Sequence, residues 1–339
     1  MSTHKLPLFT RNPMFGKILY PGAKDVMETQ QDVHWTAKEI KVEKDVQDYR
    51  VKMNASELSL VTHTLQIFVE IEQTVGDIWD EIGTWFPHSE IQGCCSAIAS
   101  MEKSVHAFFY QKMSDELNID PEETLAIQQN VLVFKEKLSM IRDILKNARK
   151  NKLLTLGSLA YIEQVLLFSN FAMLKSFQAN GNNLIVNTIS GVDYVVNDEV
   201  LHGEFSTYLF HTLKHEMLED NPSTSFSELN TQLKEVEAVI IGHEDGVIDH
   251  SFSSDEVVIN GIDNSQLKQF IRHRANFVAE SLNIDKTYVI ENDKISKWFY
   301  KGANAAKMHD FFVKGSNSYS RTWSEKGFSR LALKESNDR

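Results

Sequence analysis

Apolar residues recur at helical spacing along most of the chain. Between about residues 56 and 82 they lie three or four positions apart, as Leu65, Phe68 and Val69 illustrate, and this period predicts an amphipathic helix. The same pattern predicts helices over about 91–117, 121–149, 154–178, 185–215 and 267–282. Residues 256–261 are the only modest strand candidate. The pattern therefore predicts an all-α bundle of long helices.

The length of the chain permits one large core or two domains. Its 339 residues include only 6 Pro and 15 Gly, and no Ser/Gly-rich linker or repeat interrupts the helical pattern, so one domain is expected. The longest apolar runs, such as 165–168, are too short to span a membrane. The N-terminus lacks the pattern of a signal peptide. We expect a soluble protein of the cytoplasm that does not contact a membrane.

Charge and cysteine content narrow the function. A formal net charge of −12 argues against a nucleic-acid partner, since phosphate contacts need a basic surface. The two cysteines, Cys94 and Cys95, are neighbours, which suits a reducing compartment and small buried side chains. There is no Gly-rich phosphate loop, so the chain is not expected to bind nucleotides itself.

Several carboxylates and imidazoles interrupt the apolar helices. Glu199 and His202 are three residues apart and therefore share a helix face; such a step is either a solvated surface pair or half of a dinuclear metal site. Glu72, His106 and Glu163 lie in other apolar helices, where an unpaired carboxylate costs several kcal/mol. Oxygen and imidazole ligands without thiolates favour iron or manganese over structural zinc.

These motifs resemble those of the small, radical-generating subunit of class I ribonucleotide reductase. Asp198 directly precedes Glu199-x-x-His202, Tyr110 follows His106 by four residues, and Gly76 follows Glu72. The resemblance extends from residues 8–13, through residues 33–35, to residues 298–299 and 309–312. It implies a ferritin-like helical bundle with additional helices over residues 1–319, and a tail, residues 320–339, that docks on another subunit.

The resemblance also implies a role for each site residue. A dinuclear centre of two iron ions, two manganese ions or one of each would be held by six ligands: Glu72, Glu102, His106, Glu163, Glu199 and His202. After reaction with an oxygen species, the oxidised centre would remove one electron and one proton from Tyr110 to leave a tyrosyl radical. The apolar residues implied around that tyrosine are Leu167, Phe171 and Val195. Trp35 would be the first relay beyond the centre, linked to it through Asp198 and His106.

One position departs from the family pattern. The family usually has a bridging glutamate three residues before the first histidine, and Lys103 stands there in this chain. Glu102 lies four residues before His106, a spacing that also shares a helix face, and a one-residue π-bulge would bring it into register. We predict that Glu102 is the ligand. The alternative is that Lys103 occupies the position and that metal binding is altered or lost.

The implied partners are a second copy of the chain, a large catalytic subunit and a flavoprotein activator. The tail residue that would relay the radical is left open between Tyr319 and Trp323. Whether the large subunit would reduce ribonucleoside diphosphates or triphosphates is also left open. Two other functions also remain open at this point. They are a ferritin-like oxidase or oxygenase with its own substrate, and a metal-free or atypical radical subunit.

Overall fold

The computed structural model describes residues 7–14, 16–179, 181–252 and 258–300, and these ranges hold eleven α-helices. In chain order the helices are α1 (Pro21–Asp32), α2 (Ala55–Gly83), α3 (Ser89–Met101), α4 (Ala107–Leu117), α5 (Pro121–Asn130), α6 (Leu132–Asn147), α7 (Lys152–Val165), α8 (Phe168–Ala179), α9 (Val186–Asp220), α10 (Ser227–Ser251) and α11 (Asn264–Ser281). A π-helical turn, Glu102–His106, joins α3 to α4.

Four helical segments form the centre of the bundle, namely α2, α3 with α4, α7 with α8, and α9. Helix α2 packs along α3 and α4, α7 packs along α9, and α8 contacts both α2 and α9. Helix α1 covers α3 and α9, α5 and α6 pack on α2, and α10 and α11 pack on α7. The predicted all-α fold is confirmed over the described residues, and its additional helices surround the central ones.

Helix α2 closely follows its predicted range of 56–82. The Asn54 side chain accepts hydrogen bonds from the Ser56 and Glu57 amides, and the Glu57 carboxylate accepts one from the Asn54 amide. This reciprocal capping box satisfies amides that have no partner inside the helix. It fixes the start of the helix that carries Glu72.

Helices α1 and α10 were not predicted from the sequence. Helix α1 is mostly polar and buries few apolar side chains, Ala23 and Val26 among them. Helix α10 has a regular buried face, but two of its core positions are the carboxylates Glu237 and Glu244. Because these acidic residues occupy core positions that are normally apolar, the helical period of α10 cannot be detected in the sequence.

The strand candidate at 256–261 is wrong over its described part. Residues 258–261 contain only an isolated antiparallel bridge between Ile259 and Ile262. Their backbone groups pair locally because Asn260 and Gly261 adopt positive φ angles of 51° and 77°, which close a tight turn.

Two predicted helices are each divided into two. The range 121–149 breaks at Val131, between α5 and α6, and the range 154–178 breaks between α7 and α8. At the second break the Leu166 carbonyl accepts a hydrogen bond from Lys137 Nζ at 2.6 Å. Lys137 also pairs with Glu244 at 2.6 Å, and Glu244 accepts a bond from the Ser169 hydroxyl. This buried network holds the break that follows Glu163.

The segment Lys152–Ala179 is the one stretch within the described residues that is long and apolar enough to cross a membrane. Inside the fold, 89% of its most apolar window is buried. Its hydropathy is therefore accounted for by its position at the centre of the bundle.

Removal of the Lys137 ammonium should destabilise the fold strongly. Lys137→Met leaves Glu244 buried without its cation and the Leu166 carbonyl without its donor, so the free energy of unfolding should fall by about 3–5 kcal/mol in urea denaturation. The exposed ion pair of Lys24 with Glu28 provides the control, and Lys24→Met should change stability by less than about 1 kcal/mol. A similar small loss in both variants would contradict the structural role of Lys137.

Two histidines on neighbouring helices should make stability depend on pH. The rings of His63 and His250 lie 4.8 Å apart, and burial together with the His250 charge lowers the pKa of His63. A histidine with a lowered folded pKa stabilises the fold while neutral, so stability is lost as pH falls below the unfolded value of about 6.5. His63→Gln should reduce the fall in melting temperature between pH 7.5 and 5.5, whereas the exposed His34→Gln should leave it unchanged. An undiminished fall in His63→Gln would refute this account.

Candidate metal centre

One half of the predicted site is assembled by α2, the π-turn and α9. Glu72, Glu102, His106 and Glu199 are all buried, and each offers a ligand atom within 4.8 Å of the others. His106 Nδ1 lies 3.2 Å from Glu199 Oε1, 3.4 Å from Glu72 Oε2 and 3.5 Å from Glu102 Oε2. The Nδ1 atom of His106 and three carboxylates therefore converge on one volume.

The second half adds α7 and shares two residues with the first. Glu102, Glu163, Glu199 and His202 form a buried group with ligand atoms within 4.8 Å of one another. His202 Nδ1 lies 2.7 Å from Glu102 Oε1 and 4.0 Å from both Glu163 Oε2 and Glu199 Oε2. Glu102 and Glu199 each direct one oxygen toward each histidine, which is the arrangement of carboxylates that bridge two ions.

The polar atoms at the centre of the cluster fit a pair of cations. Within the described chain, the buried atoms that lack a hydrogen-bond partner include Glu72 Oε1, both Glu102 oxygens, Glu199 Oε1 and His202 Nδ1. Buried polar groups are normally paired, and these oxygens and nitrogens are the donors that iron and manganese accept. Two divalent ions would also balance the charge of the four carboxylates.

The pKa values of the cluster also reflect four carboxylates that lack bound cations. Burial and the nearby Glu102 charge raise the pKa of Glu72 well above its usual range and that of Glu199 to about 8. Burial opposes ionisation of Glu102 as well, but the close approach of Glu72 and both histidines lowers its pKa. Burial would lower the pKa of His106, yet Asp198 and Glu102 raise it. Without metal, the cluster therefore retains protons that bound cations would displace.

The π-turn determines which side chain enters the cluster. Glu102 is fully buried among the other residues of the cluster, while the Lys103 ammonium lies outside, 2.5 Å from Asp77 and 2.7 Å from Asp80. The Ala107 amide donates to the Glu102 carbonyl five residues earlier, the hydrogen bond that defines a π-turn. The structure thus brings Glu102, and not Lys103, to the predicted ligand position.

A hydrogen-bonded chain connects the cluster to a buried tryptophan. His106 Nε2 lies 3.1 Å from Asp198 Oδ2, and Trp35 Nε1 donates to the same oxygen at 2.8 Å. The Trp35 ring also stacks against His106, with ring centroids 5.9 Å apart. Asp198 therefore orients the histidine so that its Nδ1 faces the carboxylates, as partners of ligand histidines do.

Gln30, which was not predicted from the sequence, connects the two histidines through Asp198. His202 Nε2 donates to Gln30 Oε1 at 3.0 Å, and Gln30 Nε2 donates to Asp198 Oδ1 at 3.3 Å. Gln30 lies on α1, a polar helix without a motif, so the sequence carried no signal for it. Its amide leaves Nδ1 of His202 free to face the cluster.

Trp79 was also missed. Its Nε1 donates to Glu163 Oε1 at 2.5 Å, and its ring stacks on Phe205. A signal existed, because Trp79 lies seven residues after Glu72 in the same helix and therefore faces the same side. With this bond Glu163 has one oxygen held by Trp79, while the other lies 4.0 Å from His202 Nδ1.

Tyr110 lies in an apolar enclosure beside the cluster. It is fully buried, and its hydroxyl has no hydrogen-bond partner among the described residues. The Phe68 ring lies 4.4 Å from the Tyr110 ring between centroids, and Phe171 packs against Phe68. Burial and the Glu72 charge raise the Tyr110 pKa well above its usual range. Leu167 and Val195 are buried as expected, and Phe68 is a wall residue that was not predicted.

The helical bundle and its paired carboxylate and histidine groups define a ferritin-like protein with a dinuclear metal site. The family model described as ribonucleotide reductase, small chain, matches residues 14–294. The chain belongs to this family, and it is the small subunit of a ribonucleotide reductase, as the sequence motifs predicted.

Curated relatives and solved structures agree with this assignment. The chain is 23% identical to the probable ribonucleoside-diphosphate reductase small subunit 048L of Invertebrate iridescent virus 3, over 94% of this chain and 86% of the relative. It is 23% identical to the ribonucleoside-diphosphate reductase subunit beta of Treponema pallidum, over 91% and 88% of the two chains.

Two solved structures share the fold at lower identity. Dimanganese(II)-NrdF of Streptococcus sanguinis superimposes with a TM-score of 0.71 and 19% identity, covering 87% of this chain and all of that one. The R2 subunit of Clostridium botulinum ribonucleotide reductase gives a TM-score of 0.73 and 16% identity, over 86% and 91% of the chains. The predicted ferritin-like fold is thereby confirmed.

Proposed function

We propose that this subunit uses a dinuclear metal centre to generate and store a radical on Tyr110, and passes the oxidising equivalent to a large catalytic subunit that reduces ribonucleoside diphosphates. The observation that carries the proposal is the sharing of Glu102 and Glu199 between two ligand groups. The diphosphate form is the one in the names of the curated relatives.

Each of the two ligand groups would hold one ion, with Glu102 and Glu199 common to both groups. Glu72 and His106 would complete one coordination sphere, and Glu163 and His202 the other. Iron, manganese or one ion of each fits the ligands; the dimanganese form of the Streptococcus sanguinis relative supports manganese. Once bound and oxidised by an oxygen species, such a centre would supply the one-electron oxidation that no side chain of the cluster can perform.

The surroundings of Tyr110 suit a stored neutral radical. Its raised pKa keeps the phenol protonated, so removal of one electron is accompanied by loss of the hydroxyl proton. Glu72, whose charge acts most strongly on Tyr110, lies in the ligand group next to it. The apolar walls around Tyr110, Phe68 among them, exclude water and reductants that would quench the radical.

The route toward the partner begins at Trp35. An electron drawn from the large subunit would pass through this ring, with Asp198 joining Trp35 to His106 by hydrogen bonds. Trp35 is only 1% exposed, so further groups must continue the path to the subunit surface. The proposed tail, residues 320–339, with Tyr319 or Trp323 as relay, lies outside the described residues.

The remaining partners follow from the same role. The subunit would act as a homodimer in the cytoplasm, with a large catalytic subunit and, for a manganese centre, a flavoprotein activator. A nucleic-acid partner is not proposed, because the net charge is −12.

The other two functions have weaker support. An oxidase acting on its own substrate does not require the Trp35–Asp198–His106 link. A metal-free subunit was suggested only by Lys103, and its ammonium lies outside the cluster with Asp77 and Asp80.

Loss of the Glu102 carboxylate should remove metal. Glu102→Ala deletes oxygens shared by both ligand groups, so manganese(II) or iron(II) loading should fall from two ions per chain to one or none. Equilibrium dialysis with elemental analysis gives the stoichiometry. The control is Glu70→Ala, which removes an exposed carboxylate from α2 outside the cluster and should retain full loading. Equal loading of the two variants would overturn Glu102 as a ligand.

The radical should depend on one tyrosine. After anaerobic metal loading and activation, the wild-type protein should show a tyrosyl signal by electron paramagnetic resonance, and Tyr110→Phe should lose it while keeping its metal. Tyr161→Phe is the matched control, because Tyr161 is equally buried but its hydroxyl donates to Glu237. A signal that persists in Tyr110→Phe would exclude this residue as the radical site.

A further inference from the structure

We propose that Lys103 is a positioning residue: its ion pairs with Asp77 and Asp80 hold the π-turn in the register that directs Glu102 into the metal cluster. The inference rests on the proposed function for its consequence, metal binding. The clamp itself, defined as Asp77, Lys103 and Asp80, exists in the protein without metal.

The helix on both sides of the turn sets a demanding register. Every fourth side chain is fully buried in the sequence Cys94, Ile98, Glu102, His106 and Tyr110. Each residue of an α-helix turns by about 100°, so four-residue steps drift by about 40° each. Over these four steps an uninterrupted α-helix would rotate His106 and Tyr110 away from the face that buries Cys94. The π-turn, which holds an extra residue, removes part of this drift.

A π-turn requires stabilising contacts, because the same residues could instead form α-helical hydrogen bonds. In the α register the Ala107 amide would bond to the Lys103 carbonyl instead of that of Glu102. Lys103 is the second residue of the π-turn, and its ammonium is fixed to two carboxylates on α2 at 2.5 and 2.7 Å. Its direction away from the cluster forces the preceding side chain, Glu102, to point inward.

Gly76 leaves the space in which the Lys103 side chain crosses α2. A Cβ atom at Gly76 would lie 2.7 Å from Lys103 Cγ, 2.9 Å from Lys103 Cε and 3.2 Å from Glu102 Cβ. The lysine stem therefore crosses α2 directly over the glycine before it reaches Asp77 and Asp80. Because α2 also carries Glu72, the clamp joins the π-turn to the helix of the neighbouring ligand.

Charge explains why position 103 is not itself a ligand in this chain. A glutamate at this position would face Asp77 and Asp80, and three carboxylates in one place repel. The lysine converts the same two aspartates into attractive partners. The exchange of a glutamate for a lysine and the shift of the ligand to Glu102 are thus parts of one local solution.

Hydrogen exchange of the metal-free protein tests the clamp directly. Lys103→Met keeps the stem but removes the charge, and amides of residues 102–107 should exchange about tenfold faster, the combined effect of two exposed ion pairs. Lys103→Arg should retain near wild-type exchange. Asp77→Asn with Asp80→Asn should reproduce the acceleration, and carries the test if Lys103→Met fails to fold. Lys112→Met, which breaks another ion pair of the same helix with Glu43, should leave residues 102–107 unchanged.

Manganese(II) titration of the same variants links the clamp to the site. Lys103→Met should bind manganese(II) about tenfold more weakly than wild type, and Lys103→Arg should bind normally. Exchange within twofold of wild type in both the Lys103→Met and the aspartate variants would overturn the clamp, and would show that packing alone sets the register. If the wild-type protein bound no manganese(II) or iron(II), the proposed function would fail, while the exchange result would still decide the clamp.

Discussion

The electrostatic cost of four carboxylates in a dry helical interior governs the structure. Glu72, Glu102, Glu163 and Glu199 are each at most 2% exposed, and no lysine or arginine is paired with them among the described residues. Burial of ionised carboxylates is costly unless cations compensate them. The raised pKa values of Glu72 and Glu199 reflect this cost, and two divalent cations would offset it.

Three side chains around the cluster form hydrogen bonds with its residues from the outer side. Trp79 holds the outer oxygen of Glu163, Asp198 holds the outer nitrogen of His106, and Gln30 holds that of His202. Each bond is made on the side of the ligand that faces away from the cluster. The inner atoms are therefore positioned before metal arrives, which lowers the reorganisation needed for binding.

Much of this arrangement could be predicted from the sequence, because carboxylates and imidazoles inside apolar helices indicate a shared site, and the family resemblance completed the set of ligands. The long apolar helices and the six clustered side chains were predicted. Gln30 and the helix that carries it were not, since a polar helix has no period to detect. Helix α10 was concealed by Glu237 and Glu244, whose partners Tyr161 and Lys137 lie far away in sequence. Such distant pairings cannot be derived from local pattern.

The π-turn has a consequence for how such proteins are recognised. A one-residue insertion in a helix that carries buried ligands would be expected to displace every side chain beyond it, yet here the change is absorbed within Glu102–His106 and Tyr110 remains next to the cluster. A sequence pattern that demands Glu-x-x-His at this helix would reject the chain, although both side chains point to the same place. The positions of the ligands in space can therefore be retained when their spacing along the helix changes.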